Sequence, residues 1–214
     1  MTITCLQIDA FTDRPFAGNP AAVCLLEHEC DTAWMQSVAA EMNLSETAFV
    51  RPLEDSYELR WFTPLVEVDL CGHATLAAAH ALWSQGRVAA GGVIRFHTKS
   101  GVLTCRRRGE LIELDFPATP VEPTEIPADL CNALGTTPNF VGRSRFDLFA
   151  VVDSEAELRA LQPELPRLRE LPARGVIVTS EPDSPEYDFV SRFFAPAAGV
   201  DEDPVTGSAH CALG

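Results

Sequence analysis

The sequence has little positive charge and no long hydrophobic run. Its 214 residues include 16 Lys and Arg against 31 Asp and Glu, which gives a net charge of −15 at pH 7. A charge of this sign repels nucleic acids and anionic membrane surfaces, so neither is expected as a partner. No apolar run approaches the ~18 residues that span a bilayer, and the N-terminus lacks the basic and apolar regions of a signal peptide. We therefore expect a cytoplasmic protein.

Paired cysteine motifs are also missing. The chain has seven cysteines, an odd number, and they form no Cys-x-x-Cys pair, which disfavours both a disulfide framework and a zinc ribbon. His73 and His80 lie seven positions apart, and no carboxylate completes a familiar ligand spacing with them. The sequence therefore predicts no metal site.

Strand-like alternation, hairpin turns and short helices recur in both halves of the chain. The 46% hydrophobic and 22% charged content is that of a globular protein. Residues 117–123 contain three prolines and are expected to link two lobes. We predict an α+β fold with lobes at residues 1–117 and 124–214, each a sheet partly curled around a central helix. The first central helix is expected at about 71–85. The second begins near 206 and is cut off at 214, so the second lobe is expected to be truncated.

Capping residues, turn residues and periodicity place the other elements. Asp31 is a suitable cap for a helix at 32–42, and Ser154 opens a helix that runs to about 161. A further short helix is expected at 127–134, where a glycine follows the last helical residue. Strands are predicted at 2–11, 21–26, 47–50, 57–63, 93–98, 102–107, 111–116, 149–152, 176–179 and 187–194.

Two short motifs, one in each lobe, pair a glycine with a helix start. Residues 71–75 (CGHAT) and 206–210 (TGSAH) share Gly-x-Ala in the same place, which is consistent with an internal duplication. The first backbone N–H groups of a helix have no intrahelical partner and can bind an anion. Two such starts facing one another would hold a carboxylate. A simpler interpretation is that the glycines only permit close packing.

Three side chains could transfer a proton: His73 and Asp203, which lie in or beside these motifs, and Glu46, which lies between a helix end and an apolar strand. His73 could act as an acid, a base or a hydrogen-bond donor, although a satisfied histidine in a turn is the simpler interpretation. Apolar neighbours of Glu46 disfavour the charged form of its carboxyl group and suit it to proton transfer near neutral pH. The alternative for Glu46 is an exposed position at a strand edge. Asp203 adjoins the second helix start and could enter a site with Glu46.

Cys71 offers a different chemistry. A thiol at a helix N-terminus is a good base or nucleophile, so Cys71 could serve an amino-acid epimerase or racemase. A two-thiol mechanism needs a second cysteine facing the first. The corresponding position in the second motif is Thr206, and Cys211 lies more than one turn inside the helix, which weakens that mechanism.

Seven sequence blocks spread over the chain form a specific pattern. They are IDAFT at 8–12, FAGNP at 16–20, NLSET at 43–47, LRWFTP at 59–64, VDLCGHAT at 68–75, SRFFAP at 191–196 and EDPVTGSAH at 202–210. Together they resemble the PhzF-type phenazine-biosynthesis family. The resemblance implies a diaminopimelate-epimerase-like fold, in which two similar lobes each form a curved, mostly antiparallel sheet or barrel around a helix.

The resemblance also implies a reaction and a set of residues. The family's catalytic glutamate matches Glu46, and its supporting groups match His73, Asp203 and Ser208. It implies isomerisation of a small carboxylate-bearing substrate without a cofactor, and a homodimer. In the phenazine pathway that substrate is a dihydro-hydroxyanthranilate. We expect substrate-binding residues within the matched blocks, namely Asn19, Cys71, Gly72, Thr206 and Gly207.

Two alternatives to this isomerase remain open. One is the epimerase or racemase that depends on Cys71. The other is a catalytically impaired member of the fold that binds a small molecule or a protein, an alternative that follows from the expected truncation of the second lobe.

Overall fold

The chain forms two sheets and several helices, and divides into two compact units. The structure is a computed structural model and describes residues 3–14 and 16–214, so the first position of the predicted strand 2–11 lies outside it. The first unit comprises Met1–Pro117 and Thr206–Ser208, and the second comprises Ala118–Val205 and Ala209–Gly214. The predicted α+β class is confirmed.

The first unit is an eight-stranded sheet with two helices. The strand order is β1-β2-β3-β4-β6-β7-β8, and β5 pairs with β4. The pairs β2–β3 and β4–β6 are parallel, and the other neighbours are antiparallel. The elements are β1 (Thr4–Ala10), β2 (Asn19–Leu25), α1 (Thr32–Met42), β3 (Glu46–Pro52), β4 (Tyr57–Phe62), β5 (Glu67–Val68), α2 (Gly72–Ser84), β6 (Ile94–Thr98), β7 (Gly101–Arg108) and β8 (Leu111–Asp115).

Helix α2 is the centre of this unit. It contacts β1, β2, β3 and β8, strands from both ends of the sheet order, so the sheet curls around it. Its alanines Ala74, Ala77, Ala78 and Ala81 are fully buried, and their small side chains let the strands approach the helix closely. Helix α1 covers a separate cluster that includes Phe49.

The second unit is a six-stranded sheet with shorter helices. The strand order is β14-β13-β12-β11-β10-β9, and β11–β12 is its parallel pair. Its elements are β9 (Glu122–Pro123), α3 (Leu130–Leu134), β10 (Phe140–Arg143), β11 (Leu148–Val151), α4 (Glu155–Ala160), α5 (Leu165–Arg169), β12 (Val176–Ser180), β13 (Val190–Ala195), β14 (Val200–Asp203) and α6 (Gly207–Leu213). The first two residues of α6 belong to the first unit.

Several predicted elements are confirmed and others are wrong in detail. Helix α1 has the predicted bounds, and Asp31 caps it by accepting hydrogen bonds from two backbone N–H groups. The prediction of a strand at 187–194 is wrong at its start, because Val190 is the first paired residue. Five elements were not predicted from the sequence, namely β5, β9, β10, β14 and α5, and β9 lies within the predicted linker. In the part of the chain that the structure describes, no helix is long and apolar enough to cross a membrane.

Candidate active site

Polar side chains from three elements of the first unit meet at one edge of its sheet. Asn19 is the first residue of β2, and Glu46 is the first residue of β3. These strands are parallel, with Ala21 opposite Glu46, so their N-terminal ends lie at the same edge. His73 enters from the second position of α2.

His73 contacts three other side chains of this cluster. Its Nε2 lies 3.2 Å from the hydroxyl oxygen of Ser45 and 3.4 Å from Oε2 of Glu46. Its Nδ1 lies 3.5 Å from Sγ of Cys71. The Ser45 hydroxyl donates a hydrogen bond of 3.3 Å to Oδ1 of Asn19. Five side chains are therefore linked in one continuous polar network.

Burial keeps the His73 imidazole neutral. The pKa of His73 falls from 6.5 to about 4, because burial penalises the charged form of the ring. The contact between Glu46 and His73 is therefore a contact with a neutral ring and not an ion pair with an imidazolium. Since the Ser45 hydroxyl donates to Asn19, its oxygen accepts from His73, and we infer that the ring proton is on Nε2. Nδ1 is then the acceptor for the Cys71 thiol.

Glu46 is the most accessible ionisable member of the cluster. Its side chain is 14% exposed, whereas that of His73 is 2% exposed and Cys71 is 4% exposed. Of these three residues, Glu46 therefore offers the most side-chain surface to an approaching molecule, although its Oε2 atom is itself buried. The neutral ring behind the carboxylate can orient it without forming a full ion pair with it.

At the start of α2, the backbone at Gly72 lies very close to the backbone at Gly207. Cys71 is the N-cap residue, and its carbonyl oxygen accepts a 2.6 Å hydrogen bond from the hydroxyl of Thr75. Gly72 follows, and a Cβ atom added there would lie 2.5 Å from Cα of Gly207. Within the first unit, therefore, both of the predicted motif glycines are needed for packing. Their predicted role in binding a substrate carboxylate stays a prediction.

Glu46, Cys71 and His73 are also a possible set of metal ligands. One ligand atom from each lies within 4.8 Å of the others, and sulfur, nitrogen and oxygen donors of these kinds bind zinc. However, Cys71 contacts Nδ1 and Glu46 contacts Nε2, so the imidazole ring lies between them. An ion bound to Nδ1 would lie on the Cys71 side of the ring, and an ion bound to Nε2 would lie on the Glu46 side. Joint binding by all three residues would therefore require Cys71 or Glu46 to move around the ring. The sequence missed this cluster because Glu46 comes from a distant element.

The remaining predicted residues lie near the C-terminal helix. Asp203 is the last residue of β14 in the second unit, and its approach to Glu46 stays a prediction. Thr206 precedes α6, and Ser208 is its buried second residue. Ser45 is a member of the network that the sequence did not single out. The available signal was its position directly before Glu46, where a turn leads into β3.

Comparison with known proteins identifies the family. The family model for phenazine biosynthesis-like proteins (PhzC-PhzF) matches residues 8–214. The chain belongs to this family. A protein of Halalkalibacterium halodurans described as an uncharacterized isomerase is 56% identical over 215 residues, which cover 100% of this chain and 81% of that protein.

Solved structures support the same assignment. A PhzF family protein of Enterococcus faecalis has a TM-score of 0.87 and 44% identity, over 100% of this chain and 81% of that one. A Pseudomonas aeruginosa protein described as a predicted epimerase has a TM-score of 0.71 at 21% identity, over 98% of this chain and 79% of that one. This second likeness concerns the fold alone. The PhzF resemblance and the epimerase-like fold expected from the sequence are confirmed.

Proposed function

We propose that this chain is a PhzF-type isomerase that moves a proton on a small carboxylate-bearing substrate without a cofactor. Glu46 is the residue that accepts and returns the proton. The observation that carries the proposal is the partly exposed Glu46 side chain, whose Oε2 lies 3.4 Å from a buried, neutral His73, in a chain that has relatives named as isomerases.

The neutral state of His73 favours a base at Glu46. A protonated imidazolium at this distance would stabilise the carboxylate charge strongly and make Glu46 a weaker base. A neutral N–H donor orients the same carboxylate with a smaller effect on its basicity. The Ser45 hydroxyl contacts Nε2 of the His73 ring and donates a hydrogen bond to Oδ1 of Asn19. Through these two contacts, Ser45 and Asn19 hold the ring in position.

The proposed reaction is a proton shift. The Glu46 carboxylate removes a proton from an acidic carbon of the substrate, and the resulting carboxylic acid returns a proton to a different carbon. The enzyme therefore ends in the state in which it began. We assign supporting roles to Asp203 and Ser208, and binding of the substrate carboxylate to the backbone around Gly72 and Gly207. The substrate is either similar to a dihydro-hydroxyanthranilate or another small acid.

Solvent deuterium exchange tests the role of Glu46. The protein is first dialysed against a chelator. It is then incubated in deuterated buffer with a dihydro-hydroxyanthranilate and with a panel of small cyclic carboxylic acids and amino acids as probes. We expect Glu46→Gln to lose roughly 10²- to 10⁴-fold in exchange rate, the usual range for a general base. Glu41→Gln changes an exposed carboxylate at the end of α1 and should keep the wild-type rate. Unchanged exchange in Glu46→Gln would exclude the assignment.

A base at Cys71 is the second candidate, because its Sγ lies 3.5 Å from Nδ1 of His73. The same assay separates the two candidates. If Glu46 is the base, Cys71→Ala keeps most of the exchange, since the thiol then only donates a hydrogen bond to the ring. Loss of exchange in Cys71→Ala while Glu46→Gln remains active would transfer the role to the thiol and favour an epimerase or racemase.

A further inference from the structure

Two cysteines face each other on neighbouring strands, away from the polar network. Cys5 on β1 and Cys24 on β2 are direct partners in the antiparallel register. Their sulfur atoms lie 3.4 Å apart, with the Cys24 thiol donating to the sulfur of Cys5. A disulfide bond is about 2.05 Å long and requires side chains that already face one another. The pair meets the requirement that the two side chains face one another.

The two thiols differ in access and in acidity. Cys5 is exposed, whereas Cys24 is 2% exposed. The hydrogen bond from Cys24 lowers the pKa of Cys5 to about 7, against the opposing effect of burial. The same hydrogen bond, together with burial, raises the pKa of Cys24. Near neutral pH, Cys5 is therefore available as a solvent-exposed thiolate, whereas the buried Cys24 remains a protonated thiol.

We propose that Cys5 and Cys24 are an oxidation site that forms a reversible disulfide across β1 and β2. The oxidant is a low-molecular-weight disulfide such as oxidised glutathione. The Cys5 thiolate attacks one sulfur of the oxidant, forms a mixed disulfide and releases one glutathione thiolate. The Cys24 thiol then gives up its proton and attacks the Cys5 sulfur, which releases the second glutathione as a thiol. Two protein thiols are oxidised, and one glutathione disulfide is reduced to two thiols.

The disulfide bond would link the first strand of the sheet covalently to its neighbour. Strand β1 is the first strand of the sheet order and pairs with β2. The two cysteines are 19 positions apart, so the disulfide closes a loop that includes the exposed Phe11 and Phe16. Closing a loop of this length restricts the unfolded chain and stabilises the folded one.

Cys30 is a competing thiol and provides a matched control. It packs against the cluster that contains Cys24. The Cys30 thiol donates to the backbone carbonyl of His28, however, and not to either member of the pair. A Cys30→Ser variant should therefore leave the oxidation unchanged.

The experiment treats the full chain with glutathione buffers of increasing oxidised fraction. Free thiols are counted by a colorimetric thiol reagent, and disulfide-linked peptides are mapped by mass spectrometry without reduction. We expect two of the seven thiols to be lost, one peptide pair that joins Cys5 to Cys24, and full recovery after dithiothreitol. The melting temperature of the oxidised protein should rise on the order of 5–10 °C.

The variants assign the steps. Cys5→Ser should keep its remaining thiols and show no rise in melting temperature, and Cys30→Ser should behave as the wild type. Cys24→Ser should stop at a mixed disulfide of glutathione on Cys5, and Cys24→Ala replaces it if the serine variant fails to fold. A bond between Cys24 and Cys30, a thiol count that stays at seven, or glutathionylation of Cys5 without a protein disulfide in the wild type would overturn the proposal.

Discussion

Burial of His73 ties the stability of the protein to pH. The pKa of this ring is about 4 in the folded protein against 6.5 for an exposed histidine, so between these values the unfolded chain binds a proton that the folded chain does not. The contribution of His73 to the free energy of unfolding is therefore complete above about pH 6.5, and it is lost as the pH falls toward 4. The shift corresponds to about 3 kcal/mol.

We expect His73→Gln to have a weaker dependence of stability on acid. Between about pH 7 and pH 4, the wild type should lose on the order of 3 kcal/mol more in free energy of unfolding than this variant, because glutamine takes up no proton. Urea melts across this range measure the difference. His80→Gln removes an exposed histidine from the same helix and should follow the wild type. Parallel curves for the wild type and His73→Gln would contradict the assignment of a neutral, buried ring.

At the scale of the element, the start of α2 depends on two glycines. A Cβ atom at Gly72 would lie 2.5 Å from Cα of Gly207, and a Cβ atom at Gly207 would lie 2.6 Å from Cα of Gly72. The atoms in the way belong to the backbone, so no side-chain rotation can relieve the clash. Alanine has a better helix propensity than glycine, but that gain is at most about 1 kcal/mol. The clash therefore decides the sign of the effect.

We expect Gly72→Ala to destabilise the protein by roughly 1–3 kcal/mol, as overpacked sites do. It should also slow substrate exchange, because the displaced residues include Cys71 and His73. Gly91→Ala is the matched control, since a Cβ atom at Gly91 meets nothing within 4 Å. Urea melts and the deuterium-exchange assay measure both effects. Stability and exchange equal to those of Gly91→Ala would show that the two backbones can separate without cost.

Elements with their own local signals could be predicted from the sequence. Helix α1 was predicted to the residue because Asp31 satisfies its first N–H groups and its apolar residues recur at helical spacing. The strand predicted from residue 187 begins later, because Tyr187 is still in a turn in which its N–H bonds to the carbonyl of Ser184. Helix α5 and strand β10 contain five and four residues, too few for a periodic pattern.

At the scale of the whole molecule, the residues of the site could be named but their contacts could not. The resemblance pointed to Glu46 and His73. Their contact, however, requires the parallel pairing of β2 with β3 and the packing of α2 against both strands. The facing pair Cys5 and Cys24 depends in the same way on the register between β1 and β2. Sequence spacing carries neither the pairing of strands nor their register, so these contacts needed the structure.

Net charge sets a condition on self-association. The family resemblance implies a homodimer, which remains a proposal for this chain. Two copies that each carry −15 repel one another, and this repulsion opposes the apolar contacts of any interface. Salt screens such repulsion, since the Debye length falls from about 30 Å at 0.01 M to about 8 Å at 0.15 M ionic strength. Dimer formation should therefore be stronger at the higher salt concentration.

We expect a dimer with twice the 23.3 kDa mass of one chain at physiological ionic strength, and a larger monomer fraction at about 0.01 M salt. Light scattering coupled to size-exclusion chromatography, and sedimentation velocity over a range of protein concentrations, measure both. Sucrose at matched osmolarity is the control, because it changes the solvent without screening charge. A monomer under every condition would remove the proposed dimer. A dimer that weakens with added salt would instead indicate an interface held by ion pairs, against the charge argument.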